Sequence, residues 1–324
     1  VGDAKLDDAV RAARLYFLQN MTMEEIARDL GTSRSTISRL LALAKAEGLI
    51  EFRLRTPSEH VPDLERNLSD RFHTDVHVVP VAQPASEFEV LDQVARTAAR
   101  LLGSLVDSDM VVGVAWGTTV YAISKHLVRK PASGCEIVQL NGAGNTFTTG
   151  IAYASDILGR FGYAFDAKVQ QFPVPTLFDF AATRRALWRE RSIIRILDLQ
   201  RRCDIMLFSI GAVHGGVPSH VYTAGYLAED DFAELGTQGV VGDVATVFLR
   251  EDGSHDGISL NERSSGPPPE VLCRAPRRIC VVSGAHKVRG LRGAIAAGLI
   301  TDLIIDERTA SALSETAPLS PSDL

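Results

Sequence analysis

A chain of 324 residues is too long for one small DNA-binding module and comfortable for about two domains. Apolar residues make up 45% and charged residues 23%, the balance of a globular protein with a large core, and no apolar run approaches the roughly 18 residues that cross a bilayer. The net charge of −6 speaks against a protein that coats nucleic acid along its whole length.

The charge is unevenly spread. Residues 26–55 carry six Lys/Arg against three Asp/Glu, whereas residues 56–324 carry 25 against 32. A small basic segment therefore precedes an acidic remainder that repels DNA. The chain opens on Asp3, Asp7 and Asp8, with no basic-then-apolar stretch resembling a signal peptide, and a cytoplasmic location is expected. Cys135, Cys203, Cys273 and Cys280 form no CxxC pair and have no histidine at ligand spacing. Neither a metal nor another cofactor is expected, and the thiols read as free.

Residues 8–19 carry apolar side chains at helical spacings and predict a first helix. Thr22 followed by Glu25 is a capping box opening a second helix, which turns Ile26, Ala27 and Leu30 inward and stops at Gly31. Ser33 then caps a third helix from about Arg34 to Glu47, burying Ile37, Leu40, Leu41 and Ala44. The spacing of Ala27, Gly31 and Ile37 is that of a helix-turn-helix: a small residue where helices cross, a tight turn, and an apolar pin for the third helix. Alternation from Leu49 to Arg55 predicts a β-ribbon wing. Double-stranded DNA is the implied partner, met by Thr32, Ser33, Arg34, Ser35, Thr36, Ser38 and Arg39 at the groove-entering end of the third helix. Ser33 has a second reading as a cap alone. Arg53 on the wing is a candidate phosphate contact, or a solvated edge residue.

Thr56–Pro62 breaks both periodicities and reads as a linker between a head of residues 1–55 and a domain of residues 63–313. A helix over 63–72 and a strand over 75–81 follow. Further strands are predicted near 110–115, 136–140, 204–210, 243–249, 279–283 and 302–305, alternating with helices, the pattern of a Rossmann-like parallel sheet. Residues 314–324, rich in Ser and Pro, read as a disordered tail. Four predicted strands run into loops of small polar residues: Trp116-Gly117-Thr118-Thr119, Asn141-Gly142-Ala143-Gly144, Gly211-Ala212-Val213 and Ser283-Gly284-Ala285. Ligands bind beyond the carboxyl ends of such strands, and Gly/Thr loops opening helices offer backbone N–H groups to an anion. Lys287, at a helix start, opposes the helix dipole unless an anion lies nearby.

The order of helix-turn-helix, Gly113-x-x-Trp116-Gly117-Thr118-Thr119, Val138-Gln139-Leu140-x-Gly142, Phe172-Pro173-x-Pro175, Gly239-Val240-Val241-Gly242-Asp243 and Gly284-x-x-Lys287 resembles the SorC family of bacterial sugar-responsive transcriptional regulators, from about residue 8 to 312. The resemblance implies a winged helix-turn-helix head and an α/β effector domain of the sugar-phosphate isomerase type, assembled as a dimer or homotetramer. It also implies that Gly117, Thr118, Thr119 and Lys287 hold a phosphate or its equivalent. Gln139, Asn141 and Asp243, with Gly142 in the same loop as Asn141, would line the polyol part; Asp243 has a second reading as the cap of a turn. Two segments depart from the family's pattern: Ser264-Ser265-Gly266-Pro267 follows Asn261-Glu262-Arg263 where an apolar-Gly-apolar stretch is expected, and Ser283-Gly284-Ala285 replaces a Gly-Gly. The competing reading is a sugar-phosphate isomerase or deaminase carrying a DNA-binding head, for which Asp243 is the candidate general base.

Overall fold

Three helices make the N-terminal unit of the computed structural model, which describes residues 3–17, 21–46, 49, 61–82, 84–212, 219–223 and 225–317. They are α1 (Asp3–Phe17), α2 (Met23–Asp29) and α3 (Arg34–Ala46). Thr22 and Glu25 form the expected reciprocal cap: the Glu25 N–H donates to Thr22 Oγ1 at 3.3 Å, and the Thr22 N–H donates to the Glu25 carboxylate at 2.7 Å. That backbone donor, with the Thr22 hydroxyl, holds the Glu25 carboxyl below its ordinary pKa. Gly31 turns the chain at φ +61°, where a Cβ would be strained. Ala9, Ala12, Ile26, Ala27, Ile37 and Ala44 are buried together, the small alanines letting the helices approach closely. Replacing Thr22 by alanine is expected to cost about 1 kcal/mol. Hydrogen exchange of the α2 amides should quicken about fivefold, while that of the helix Glu87–Leu105 in the larger unit stays unchanged.

The wing predicted over 49–55, with Arg53, lies outside the described residues apart from Leu49. So do Thr56–His60 of the predicted linker and residues 318–324 of the predicted tail. The chain divides into two compact units, Val1–Thr56 and Pro57–Leu324.

The larger unit begins with α4 (Val61–Phe72), β1 (Asp75–Val79), α5 (Glu87–Leu105), β2 (Val111–Val114), α6 (Thr118–Lys125), β3 (Glu136–Gln139), α7 (Ile151–Phe165) and β4 (Lys168–Gln170). It continues through α8 (Ala181–Leu187), α9 (Arg191–Gln200), β5 (Ile205–Phe208), β6 (Ile210–Gly211), α10 (His220–Thr223), α11 (Glu229–Thr237), β7 (Gly242–Val244) and β8 (Val247–Leu249). It closes with α12 (Ser259–Arg263), α13 (Pro269–Leu272), β9 (Arg277–Val282), a 3-10 turn at Ala285–Lys287, α14 (Val288–Ala296), β10 (Asp302–Asp306) and α15 (Glu307–Ser314).

Seven strands form one parallel sheet in the order β1-β10-β9-β5-β2-β3-β4. Successive residues alternate between two cores. Met206, Phe208, Cys280, Val282, Leu303 and Ile305 face one layer of helices, and Ile205, Leu207, Ile279, Val281 and Ile304 face the other. Burial on both faces is why these strands are apolar runs and not half-polar alternations. From β2 the chain proceeds outward through β3 to β4, and from β5 it proceeds the other way through β9 to β10. The order therefore reverses between β2 and β5, and the crevice beyond their carboxyl ends is where an open α/β sheet takes its ligand.

Three details differ from the expectations. The stretch 204–210 divides, because β6 leaves the large sheet and pairs antiparallel with β7. The stretch 243–249 is not one strand but the hairpin β7–β8, turned at Ala245 (φ +47°) and Thr246 (φ +68°) without a glycine or asparagine to mark it. Strand β4, only three residues at the sheet edge, has too short a pattern to stand out. The chain also stays tied down past Ser314: the Ala317 carbonyl accepts hydrogen bonds from Arg71 at 2.8 Å and from Arg292 at 2.6 Å.

Candidate functional site

In the N-terminal unit the start of α3 presents Ser33, Arg34, Ser35, Ser38 and Arg39 to solvent, with Thr32 and Thr36 half-buried beside them. Ser33 is engaged locally. Its hydroxyl accepts from the Thr36 N–H at 3.2 Å and lies 2.8 Å from Ser35 Oγ and 2.9 Å from Thr36 Oγ1. The capping role is thus occupied by Ser33 in the absence of any partner. Arg34 lies 3.4 Å from the exposed Glu24 carboxylate, and Arg39 Nε donates to the Ser35 carbonyl at 3.3 Å. An exposed pair of this kind contributes little and is easily exchanged for a phosphate.

In the larger unit a cavity of about 250 Å³ opens at the reversal of strand order. Six of the eight residues expected to meet the effector line it: Gly117, Thr118, Thr119, Asn141, Asp243 and Lys287. Gly117 takes φ +144°, which favours glycine, and leaves α6 without a side-chain cap. The N–H groups of its first turn have no intrahelical acceptor and point a positive dipole end at the crevice. Lys287 is 8% exposed and forms no ion pair with any described residue. Burial pushes its pKa down, while Cys280, Asp243, Asp306 and Glu87 pull it back up. A buried ammonium lining the same cavity as an uncapped helix start is an arrangement that an anion completes.

Gln139 and Gly142 do not line the cavity. The Gln139 amide donates to the Asn141 carbonyl at 2.8 Å and accepts from the Phe172 N–H at 2.9 Å. The Gly142 carbonyl accepts from Trp116 Nε1 at 2.7 Å and from Thr176 Oγ1 at 2.8 Å. A Cβ at 142 would fall 2.3 Å from the Val174 carbonyl oxygen, so glycine is needed for this close approach. Both residues shape the loop that carries Asn141, and a sequence motif does not distinguish a residue that shapes a loop from one that touches a ligand. Trp116 does line the cavity, stacked on Tyr226 with centroids 5.2 Å apart.

Asp243 serves the turn reading as well. Its Oδ2 accepts from the Thr246 N–H at 2.9 Å, while Oδ1 completes no hydrogen bond and packs where a Cβ on Gly211 would come within 1.9 Å. Burial raises its pKa to about 6, against the lowering effects of the Thr246 N–H, the nearby Tyr222 hydroxyl and Lys287. The native state therefore holds this proton more tightly than the unfolded chain, whose carboxyl titrates near 3.8. Its stabilising effect is full below about pH 4 and is lost as pH rises through 6. Asp243→Asn keeps an acceptor for Thr246 and removes the titration. The variant's stability relative to the parent should improve by about 2 kcal/mol between pH 4 and pH 7 in urea titrations. An unchanged difference would mean that Asp243 titrates normally in the fold.

Ser209, Ser219, Thr246, Asp306 and Thr309 also line the cavity without having been singled out as effector ligands. They come from four separate stretches of chain, and no spacing rule connects them. Asp306 is engaged as the cap of α15, accepting from the Thr309 N–H at 2.9 Å and from the Gly284 N–H at 3.1 Å.

The chain matches two family profiles: a sugar-binding domain over residues 56–314 and a Crp-like helix-turn-helix domain over residues 6–66. It is 32% identical over 307 residues to the deoxyribonucleoside regulator of Bacillus subtilis, covering 94% of this chain and 96% of that one. The solved domain of a possible sugar-binding transcriptional regulator from Arthrobacter aurescens superposes with a TM-score of 0.75 at 55% identity, covering 80% of this chain and all of that one. The full-length sorbitol operon regulator of Klebsiella pneumoniae shares the fold at a TM-score of 0.69 and 21% identity, covering 97% of this chain and all of that one.

Proposed function

The chain belongs to the SorC-type family of transcriptional regulators with a sugar-binding domain, and from that premise we propose that it binds operator DNA through α3 under the control of a phosphorylated monosaccharide. The observation that carries the effector assignment is Lys287, buried without an ion-pair partner and lining the same cavity as the uncapped start of α6. The phosphate sits against Gly117, Thr118, Thr119 and Lys287, and the sugar hydroxyls meet Asn141, whose Oδ1 has no partner, and Thr246. A volume of about 250 Å³ falls below the roughly 300–1,000 Å³ of drug-sized sites and suits one sugar unit.

The cavity works as a sensor and not as an enzyme. Isomerisation or deamination of a sugar phosphate requires a carboxylate free to take a proton from the substrate. Asp306 is engaged by Thr309 and Gly284, and Asp243 is tied into the wall, Oδ2 accepting from the Thr246 N–H and Oδ1 packed against Gly211. The protein acts in the cytoplasm as a homo-oligomer, dimer or tetramer, whose subunit arrangement sets the spacing of the DNA heads. Among the described residues no helix is long and apolar enough to cross a membrane.

The test is binding to the chain's own upstream DNA, titrated with free and phosphorylated sugars. Salt-dependent binding that a sugar phosphate weakens or restructures is the expected result. Response to a free sugar alone removes the phosphate assignment; turnover of a sugar phosphate without specific DNA binding overturns the proposal.

A further inference from the structure

The segment Ser264-Ser265-Gly266 does not itself line the cavity but hydrogen-bonds to two of its walls. Both serines are 1% exposed. Ser264 Oγ donates to the Thr246 carbonyl at 2.6 Å and accepts from the Gly266 N–H at 3.0 Å. Thr246 is a β-branched residue at φ +68°, a conformation that costs free energy and persists only where surrounding contacts hold it. Gly266 lets this segment come in close, since a Cβ there would lie 2.1 Å from the Ala245 carbonyl oxygen. One residue further, Ser265 Oγ donates to the Thr176 carbonyl at 2.8 Å and accepts from the Gly142 N–H at 2.9 Å. Gly142 in turn receives Trp116 Nε1 on its carbonyl.

We propose that Ser264 and Ser265 are positioning residues that clamp the Ala245–Thr246 turn and the Asn141–Gly142 loop to one strap, and so set effector affinity without touching the effector. The proposal rests on the cavity being the effector site. Ala245, Thr246, Asn141 and Trp116 line that cavity, whereas neither serine does. An apolar side chain in the strap would leave the Thr246 carbonyl and the Gly142 N–H buried without these partners, which is costly in a site where water does not reach. The two hydroxyls thus fix where the hydroxyl-reading wall stands relative to the start of α6.

The chain has two tryptophans, Trp116 and Trp188, so a Trp188→Phe background makes Trp116 the sole emitter. In that background Ser265→Ala should shift unliganded Trp116 emission to longer wavelength and increase its quenching by acrylamide. Ser265→Thr, which keeps a hydroxyl, should restore both. Ser264→Ala should leave the Trp116 spectrum in place. Each alanine variant should weaken binding of the sugar phosphate that releases the operator by about tenfold, read by displacement of the melting temperature, while inorganic phosphate binds as in the parent. Unchanged Trp116 quenching in Ser265→Ala overturns the proposal, and so does parental sugar-phosphate affinity in both alanine variants. If no sugar phosphate binds the parent, the effector assignment fails, and Trp116 quenching alone decides the strap.

Discussion

Lys287→Met should abolish the response to a sugar phosphate while leaving the protein folded and at least as stable as the parent. Truncating one member of a buried charge pair costs about 2–5 kcal/mol, which is an affinity loss of roughly thirtyfold to several thousandfold. Without effector the sign reverses, because the parent holds a buried ammonium without an ion-pair partner among the described residues, and methionine removes a charge that burial opposes. The lowered pKa makes the same point through pH. The unfolded chain binds the Lys287 proton more tightly than the native state, so the parent gains stability as pH rises between the native and unfolded values, and Lys287→Met does not. Calorimetric titration with the sugar phosphate that releases the operator, and thermal melts without it, read the two effects separately. A variant that still answers the effector with parental affinity would show that the anion is held elsewhere.

Arg34→Ala and Arg39→Ala address the head. An arginine gripping a guanine edge with two hydrogen bonds contributes about 1–3 kcal/mol, so its loss should weaken operator binding by roughly tenfold to a hundredfold and relax the preference at one base pair. An arginine on a phosphate should instead weaken all sequences alike and lower the salt slope by about one. The structure gives each side chain a weak tether, Glu24 for Arg34 and the Ser35 carbonyl for Arg39, and neither competes seriously with DNA. Gel-shift titrations against operator and scrambled duplex at several salt concentrations separate the outcomes. If the double variant keeps both parental affinity and parental slope, α3 is not the reading helix. Effector binding should be untouched in either case, since both arginines belong to the N-terminal unit.

Much of this was legible in the chain itself because it depends on neighbours in sequence. The capping box of Thr22 and Glu25, the turn at Gly31 and the inward spacing of Ile26, Ala27 and Ile37 are local devices, and each appears in the fold as the residues dictate. The large sheet was legible for a related reason: strands buried on both faces must be apolar throughout, and their carboxyl ends must carry the small polar loops. Lys287 was legible as an anomaly, a cation where the helix dipole disfavours one.

What only tertiary structure decided was which polar groups reach the cavity and which are used up in building it. Gln139 and Asn141 stand two residues apart in one motif, yet the Gln139 amide is consumed by the Asn141 carbonyl and the Phe172 N–H, while Asn141 Oδ1 stays unpartnered beside the crevice. The turn at Ala245–Thr246 carries no turn residue of its own, because Asp243 and Ser264 hold it from the side. A hydrogen bond between residues 123 positions apart, such as Ser265 to Gly142, leaves no periodicity to read. Local patterns record what the backbone does with its neighbours; the allocation of buried donors and acceptors is settled among groups that meet only when the sheet is assembled, since each must find a partner there or bear the cost of lost hydration.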